Sequence, residues 1–135
     1  MVKPLVIGRG SWAKNIWRAL DSLKVPHTIT GKQTALDCIR HARERSNDAV
    51  IIATPLSTHL ELVKEALFQK LPVFVEKPLC STLAEVQFLH ELGQGKEKPR
   101  FLVNSVQLFA DGAEEMRKWA VQQLTPSTVL AFGPF

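Results

Sequence analysis

The sequence predicts an open α/β sheet of mostly parallel strands with helices on both faces. Three observations carry that expectation. Short apolar runs rich in β-branched residues alternate with segments whose apolar residues recur at helical spacing, the pattern of repeated strand–helix–strand units. A glycine-rich loop, Gly8-Arg9-Gly10-Ser11-Trp12-Ala13, stands at the first junction of strand and helix. The run Ala49-Val50-Ile51-Ile52-Ala53 is apolar at every position, as in a central strand covered on both faces.

The first strand is read over 4–8 from Leu5-Val6-Ile7, and a helix over 13–23 places Ile16, Trp17, Leu20 and Leu23 at helical spacing. Pro26 breaks the chain, a short strand occupies 27–30, and Gly31 ends it. A helix over 34–46 sets Leu36, Ile39 and Arg43 at i, i+3 and i+7. Asn47-Asp48 turns the chain into the central strand, and Thr54-Pro55 stops that strand, because proline fixes φ and lacks an N–H. A helix over 58–69 carries Leu60, Val63 and Leu67 on one side, followed by a strand over 72–76. The helix over 81–92 opens with Thr82 and Glu85, the S/T-x-x-E capping pattern. After a polar connector come a strand over 100–105, a helix over 111–124 with Met116, Trp119 and Ala120 inward, and a β-like run over 128–132. Between Gly31 and Asp48 there is room for one helix only, so one βα element of a complete first half is expected to be missing.

A length of 135 residues suits about one domain with a real core, and 45% apolar and 22% charged residues are ordinary for a globular chain. No apolar run approaches the roughly 18 residues that span a bilayer, and the apolar part of the N-terminus is too short for a signal peptide. The expectation is a cytoplasmic protein without a membrane partner. Cys38 and Cys80 fit no metal or redox spacing, so no metal site is expected. The net charge of +4 is spread over scattered residues such as Arg40, Arg43, Arg45, Lys96 and Lys98, with no aromatics between them. That distribution suits an anionic small molecule and argues against nucleic acid.

The loop over 8–13 fits G-x-G-x-x-[G/A] between a strand and a helix, the context a dinucleotide-binding fingerprint requires. Gly8 permits the tight turn. Gly10 lets a pyrophosphate approach the backbone, and Ala13 lets the helix pack close to the strand. Arg9, Ser11 and Trp12 complete the candidate loop, whose helix N-terminus offers free N–H groups to an anion. The fold class is therefore a three-layer, Rossmann-like α/β fold. That pattern expects a carboxylate about 20 positions on, to hold a ribose hydroxyl. Here the residues are Thr30, Gly31 and Lys32, none of them acidic. Thr30, Lys32 and Arg9 can instead serve a 2′-phosphate, so NADP is expected in preference to NAD. The loop read alone also suits a tight turn with no ligand, and Lys32 a solvated charge.

Two further segments are Ala53-Thr54-Pro55-Leu56-Ser57-Thr58-His59 and Val73-Phe74-Val75-Glu76-Lys77-Pro78-Leu79. Together with the glycine loop and Asn104-Ser105-Val106, they resemble the N-terminal domain of the Gfo/Idh/MocA oxidoreductases over nearly the whole chain. The resemblance implies hydride transfer, in the complete enzyme, between a nicotinamide cofactor and a sugar- or polyol-like hydroxyl or ketone. It implies that Thr54, Pro55, His59, Glu76 and Lys77 line the cofactor site, with His59 near the nicotinamide end. Lys77 would be the catalytic residue, pointing to the nicotinamide ribose and the reacting carbon. An ammonium there donates a hydrogen bond to the substrate oxygen and stabilises developing negative charge. A cis bond before Pro78 is implied as well. From the residues alone, His59 equally suits structural packing, Thr54-Pro55 a plain strand stop, and Glu76-Lys77 an exposed pair.

In that family an Asp and a His of a second α/β domain commonly act as acid and base. The expected organisation is a dinucleotide domain over 1–126, with 127–135 the start or remnant of the substrate domain. Three readings stay open: a truncated or split oxidoreductase, a stand-alone nucleotide-binding or regulatory module, and an interaction domain that has lost the cofactor. An apolar run over 128–132 without its sheet is a sticky edge. It is expected to pair with a second copy, giving a homodimer, or with a partner chain.

Overall fold

Five of the apolar runs pair side by side because each satisfies its main-chain donors and acceptors only through a neighbour. In the computed structural model, which describes residues 2–93 and 100–105, they are β1 (Pro4–Ile7), β2 (Thr28–Thr30), β3 (Ala49–Ile52), β4 (Val73–Val75) and β5 (Phe101–Val103). All are parallel, in the order β2-β1-β3-β4-β5. Four helices connect them: α1 (Ser11–Ser22), α2 (Ala35–Arg40), α3 (His59–Phe68) and α4 (Leu83–Gly93). The chain moves one way from β1 to β2 and the other way from β3 to β5. The direction reverses between β1 and β3, and ligands of such sheets bind beyond the strand ends at that point.

Right-handed crossovers put α1 on one face of the sheet and α2, α3 and α4 on the other. On the second face, Leu5, Ile7, Val50, Ile52, Val73 and Val75 form the core with Ala35 and Ile39 of α2, Leu62, Val63 and Ala66 of α3, and Leu89 of α4. On the first face, Val6, Ile51, Phe74 and Leu102 stand in one register row across four strands. Exposure along that row rises from 0% at Val6, beside α1, to 56% at Leu102. Among the described residues, therefore, β3 is sealed on one face and half-covered on the other, where its composition predicts cover on both. The sheet also ends at β2 among these residues. Helix α2 carries the chain from β2 directly back to β3, and this is the missing βα element read from the short 31–48 interval.

Helix boundaries depart from periodicity where main-chain geometry takes over. α1 begins at Ser11 rather than at residue 13, because Gly10 is its N-cap and its carbonyl accepts from Lys14 N–H at 3.1 Å. Leu23 lies past the end of α1 and is 72% exposed rather than inward. α2 stops at Arg40, and residues 41–46 continue as tight turns with three-residue bonds such as Ser46 to Arg43. In α3 the buried stripe is His59, Leu62, Val63 and Ala66, rotated from the predicted Leu60, Val63 and Leu67. The rotation follows from His59, whose ring is drawn inside by main-chain bonds described below.

The cap of α4 forms as predicted. Glu85 N–H donates to Thr82 Oγ1 at 3.3 Å, while Glu85 Oε2 accepts from Thr82 N–H at 3.0 Å and Ser81 N–H at 2.6 Å. Thr82→Ala should therefore cost about 1 kcal/mol, read as a lower urea midpoint at unchanged slope. No change in midpoint would remove the cap from the account. The predicted helix over 111–124, the run over 128–132 and the boundary at 126/127 lie outside the described residues. The sheet belongs to a compact unit spanning Met1–Asn104.

Candidate dinucleotide-binding site

The carboxyl ends of the strands gather nearly all the candidate residues along one edge. At the end of β1, Gly8 has φ +136°, a conformation L side chains rarely adopt, and its N–H donates to Thr30 O at 2.9 Å. A Cβ placed there would meet Ala53 O at 2.3 Å and Ala13 Cβ at 3.3 Å. Gly8 and the fully buried Ala13 thus bring the loop, α1 and the end of β3 together. Gly10 is different. Among the described residues, a Cβ there would meet no heavy atom within 4 Å. Its lack of a side chain answers to nothing among them and leaves the backbone bare on that side. Immediately after it, α1 starts with no side-chain cap and no acidic residue in its first turn. Its leading N–H groups and positive dipole end are available to an anion.

At the neighbouring end of β2, Thr30 is buried, and its hydroxyl is 2.7 Å from that of Thr34. Arg9 reaches over Gly31, so that a Cβ on Gly31 would lie 3.8 Å from Arg9 Nε and 3.2 Å from Gln33 Oε1. Lys32 is exposed beside them. The end of β2 therefore presents a guanidinium and an ammonium where the fingerprint usually has a carboxylate.

Past β3 and β4 the two family-like segments face each other. Thr54 Oγ1 accepts from Thr58 Oγ1 at 2.7 Å, and exposed Pro55 leads into the turn before α3. His59 is buried, with Nδ1 2.9 Å from Pro78 O and Nε2 2.8 Å from Thr54 O. The Lys77-Pro78 bond is cis, and Lys77 is exposed at the edge. Glu76 is buried, and its Oε1 accepts from Trp12 Nε1 and from Asn104 Nδ2, the latter at 2.6 Å. One carboxylate thereby ties the glycine loop to the ends of β4 and β5. Asn104 was within reach of sequence reasoning, since the strand-end rule that selected Thr54 and Glu76 also applies after β5. Gln33 and Thr58 had no such signal.

Burial, and then the charge of Glu85, pushes the Cys80 thiol up, so it remains protonated at neutral pH. Both cysteines are free, and no cluster of three metal-ligating side chains occurs among the described residues. No helix among them is long and apolar enough to cross a membrane.

Residues 35–105, just over half of the 135-residue chain, match the Gfo/Idh/MocA family, described as an oxidoreductase family with an NAD-binding Rossmann fold. The chain belongs to that family. The matched region contains Thr54-Pro55, His59 and Glu76-Lys77-Pro78, while the glycine loop precedes it. Comparison with curated protein sequences finds no match. Among solved structures the fold is similar to scyllo-inositol dehydrogenase from Lactobacillus casei with bound NAD(H) and scyllo-inositol. Identity there is 21% and the TM-score 0.65, over 91% of this chain and 41% of that one. It is also similar to the WlbA (WbpB) dehydrogenase from Thermus thermophilus in complex with NAD and UDP-GlcNAcA. That pair shares 17% identity with a TM-score of 0.69, over 91% of this chain and 48% of that one. An oxidoreductase from Sinorhizobium meliloti gives 18% identity and a TM-score of 0.71, over 90% and 41%. The chain thus spans less than half the length of these structures.

Proposed function

We propose that this domain binds a nicotinamide dinucleotide along the carboxyl edge of its sheet, as the cofactor half of an oxidoreductase acting on a sugar- or polyol-like hydroxyl or ketone. The observation that carries the reading is the open face of Gly10 above the uncapped start of α1. A pyrophosphate there would meet main-chain N–H groups with no side chain in the way. The loop residues Ser11 and Trp12 would border the pyrophosphate and Arg9 the adenosine ribose over Gly31, with Gly8 and Ala13 holding the turn. From the loop, the strand ends at Thr54-Pro55 and Glu76-Lys77 extend the site toward the nicotinamide.

The cofactor supplies the hydride chemistry; the chain's own residues bind and orient. Exposed Lys77 would donate a hydrogen bond to the substrate oxygen, favouring charge as it develops. Glu76 contributes indirectly by holding Trp12 and Asn104. In the complete enzyme the acid/base pair and the substrate pocket would come from a second domain or a partner chain. The domain boundary near 126/127 and pairing of a second copy through 128–132 belong to this reading. A sugar or polyol substrate draws support from the inositol and nucleotide-sugar named with two similar structures. Two free thiols suit the reducing cytoplasm.

NADP in preference to NAD is supported by Arg9 over Gly31, by Lys32 beside it, and by the lack of a carboxylate at residues 30–32. Removing a guanidinium from a phosphate forfeits a charge-assisted hydrogen bond. Arg9→Ala should therefore weaken NADPH roughly tenfold or more and leave NADH nearly unchanged. Equal losses for both would remove the 2′-phosphate assignment. The function as a whole is tested by calorimetric titration with NADPH, NADP and NAD. Saturable binding of at least one is expected, and no heat of binding at millimolar ligand would overturn the reading.

A further inference from the structure

Helix α4 buries Leu89 against the sheet but carries apolar residues on a second side as well. Phe88 and Leu92, four residues apart, stand on one stripe of it and are 39% and 38% exposed. A helix apolar on more than its core side is usually covered on more than one side. Phe88 and Leu92 face a groove shared with α3, whose other apolar walls are Leu60, Leu67, Phe68 and Leu71. Phe68 ends α3 and is 82% exposed. Single apolar residues on a surface are ordinary, whereas two phenylalanines and several leucines lining one groove mark a contact surface.

The charges around this groove decide what covers it. Its rim carries Arg40, Lys64, Lys70 and Arg100 against Glu61 and Glu65. Arg40 is taken by Glu65 at 3.3 Å, and Lys64 Nζ lies 4.5 Å from the centre of the Phe88 ring. Among the described residues, Glu61 and Arg100 enter no ion pair. Glu61 is in the first turn of α3, toward the carboxyl ends of the strands, and Arg100 immediately precedes β5, at the amino ends. An acidic partner would meet Glu61, and a basic one Arg100 and Lys64. A surface with an unpaired acid at one end and an unpaired cation at the other is instead complementary to itself, turned end for end.

We propose that this groove receives a second copy of the chain, with two α3–α4 faces packed antiparallel about a two-fold axis. A two-fold contact is isologous, so every interaction occurs twice. Each Phe68 enters the other copy's groove, and each Glu61 meets the partner's Arg100. The result is an apolar aromatic centre with a charged rim, the usual anatomy of a specific interface. Leu71 and Arg100 place the groove at the amino ends of β4 and β5, so the dinucleotide edge stays open. The proposal does not depend on the cofactor, and it uses a different surface from the run over 128–132.

Sedimentation equilibrium of the full chain should show self-association at about 100 micromolar, as suits an interface with a small apolar centre. Phe68→Glu sets a carboxylate into both halves of that centre and should weaken association at least 100-fold. Its melting curve should not move, because the side chain it replaces is exposed. Glu61→Arg brings like charges together twice and should weaken association about tenfold. Glu61→Arg combined with Arg100→Glu exchanges the two signs and should restore it to within about threefold. A monomer at that concentration would overturn the proposal and leave the groove to a different protein. Association that Phe68→Glu leaves intact would overturn it in favour of another surface, such as 128–132. A double reversal no tighter than Glu61→Arg alone would overturn the antiparallel arrangement.

Discussion

Gly8→Ala is expected to unfold the domain or bring it close to unfolding. The new methyl carbon would stand 2.3 Å from Ala53 O and 2.9 Å from the carbon of that carbonyl, at φ +136°. Neither side can give way easily. Ala53 N–H donates to Ile7 O at 2.8 Å, and Gly8 N–H to Thr30 O at 2.9 Å, so both strands are pinned at the point of contact. Backbone strain at a forbidden φ and overpacking each cost about 1–3 kcal/mol, which places the sum at roughly 2–6 kcal/mol. A domain holds only about 5–15 kcal/mol in total. Urea unfolding followed by circular dichroism should show a collapsed midpoint or no native baseline. A loss below about 1 kcal/mol would mean that the turn does not require glycine.

Gly10→Val should do the opposite: keep the fold and abolish cofactor binding. Gly10 has φ −73° and ψ 177°, an extended conformation that valine adopts readily. Among the described residues, no heavy atom lies within 4 Å of the position its Cβ would take. Replacing an N-cap glycine costs at most about 1 kcal/mol. Those methyl groups would occupy the space through which a pyrophosphate must reach the α1 amides. The affinity for NADPH should fall by roughly 100-fold or more, which corresponds to about 2.7 kcal/mol. An affinity within threefold of the unsubstituted chain, measured on protein with an unchanged melting curve, would detach the loop from the ligand. The two glycines stand two residues apart in one motif, and the expected reasons for them differ: the protein's own packing requires Gly8, and the proposed ligand would require Gly10.

Much of the fold was legible because the sheet is parallel and its core face is continuous. Leu5-Val6-Ile7, Val50-Ile51-Ile52 and Val73-Phe74-Val75 read as strands from composition alone, and the short interval between Gly31 and Asp48 leaves no room for a further βα element. Cover on the first face, that of α1, was not legible. A run such as Ala49 to Ala53 states that both faces are apolar and is silent on how much helix lies over each. The turn of α3 was misread for a related reason. Histidine counts as polar in a periodic pattern, whereas His59 is buried because two main-chain oxygens meet its ring. In the site, the strand-end residues were legible from the rule that ligands bind beyond the carboxyl ends. The Glu76 bridge between Trp12 and Asn104 was not, since it joins three segments far apart in sequence through side chains alone. The inward turn of Thr30 toward Thr34 was equally hidden.

Binding of a dinucleotide along this edge of the sheet is best checked by titrating the ¹⁵N-labelled chain with NADPH and following its backbone amides. Saturable shifts are expected at residues 8–13, at Gly31 and Lys32, at Thr54, and at Glu76 and Lys77. Amides at the opposite ends of the strands, such as Asp48 and Leu71, should stay in place. No shifts at millimolar NADPH, or shifts centred on Asp48 and Leu71, would contradict it.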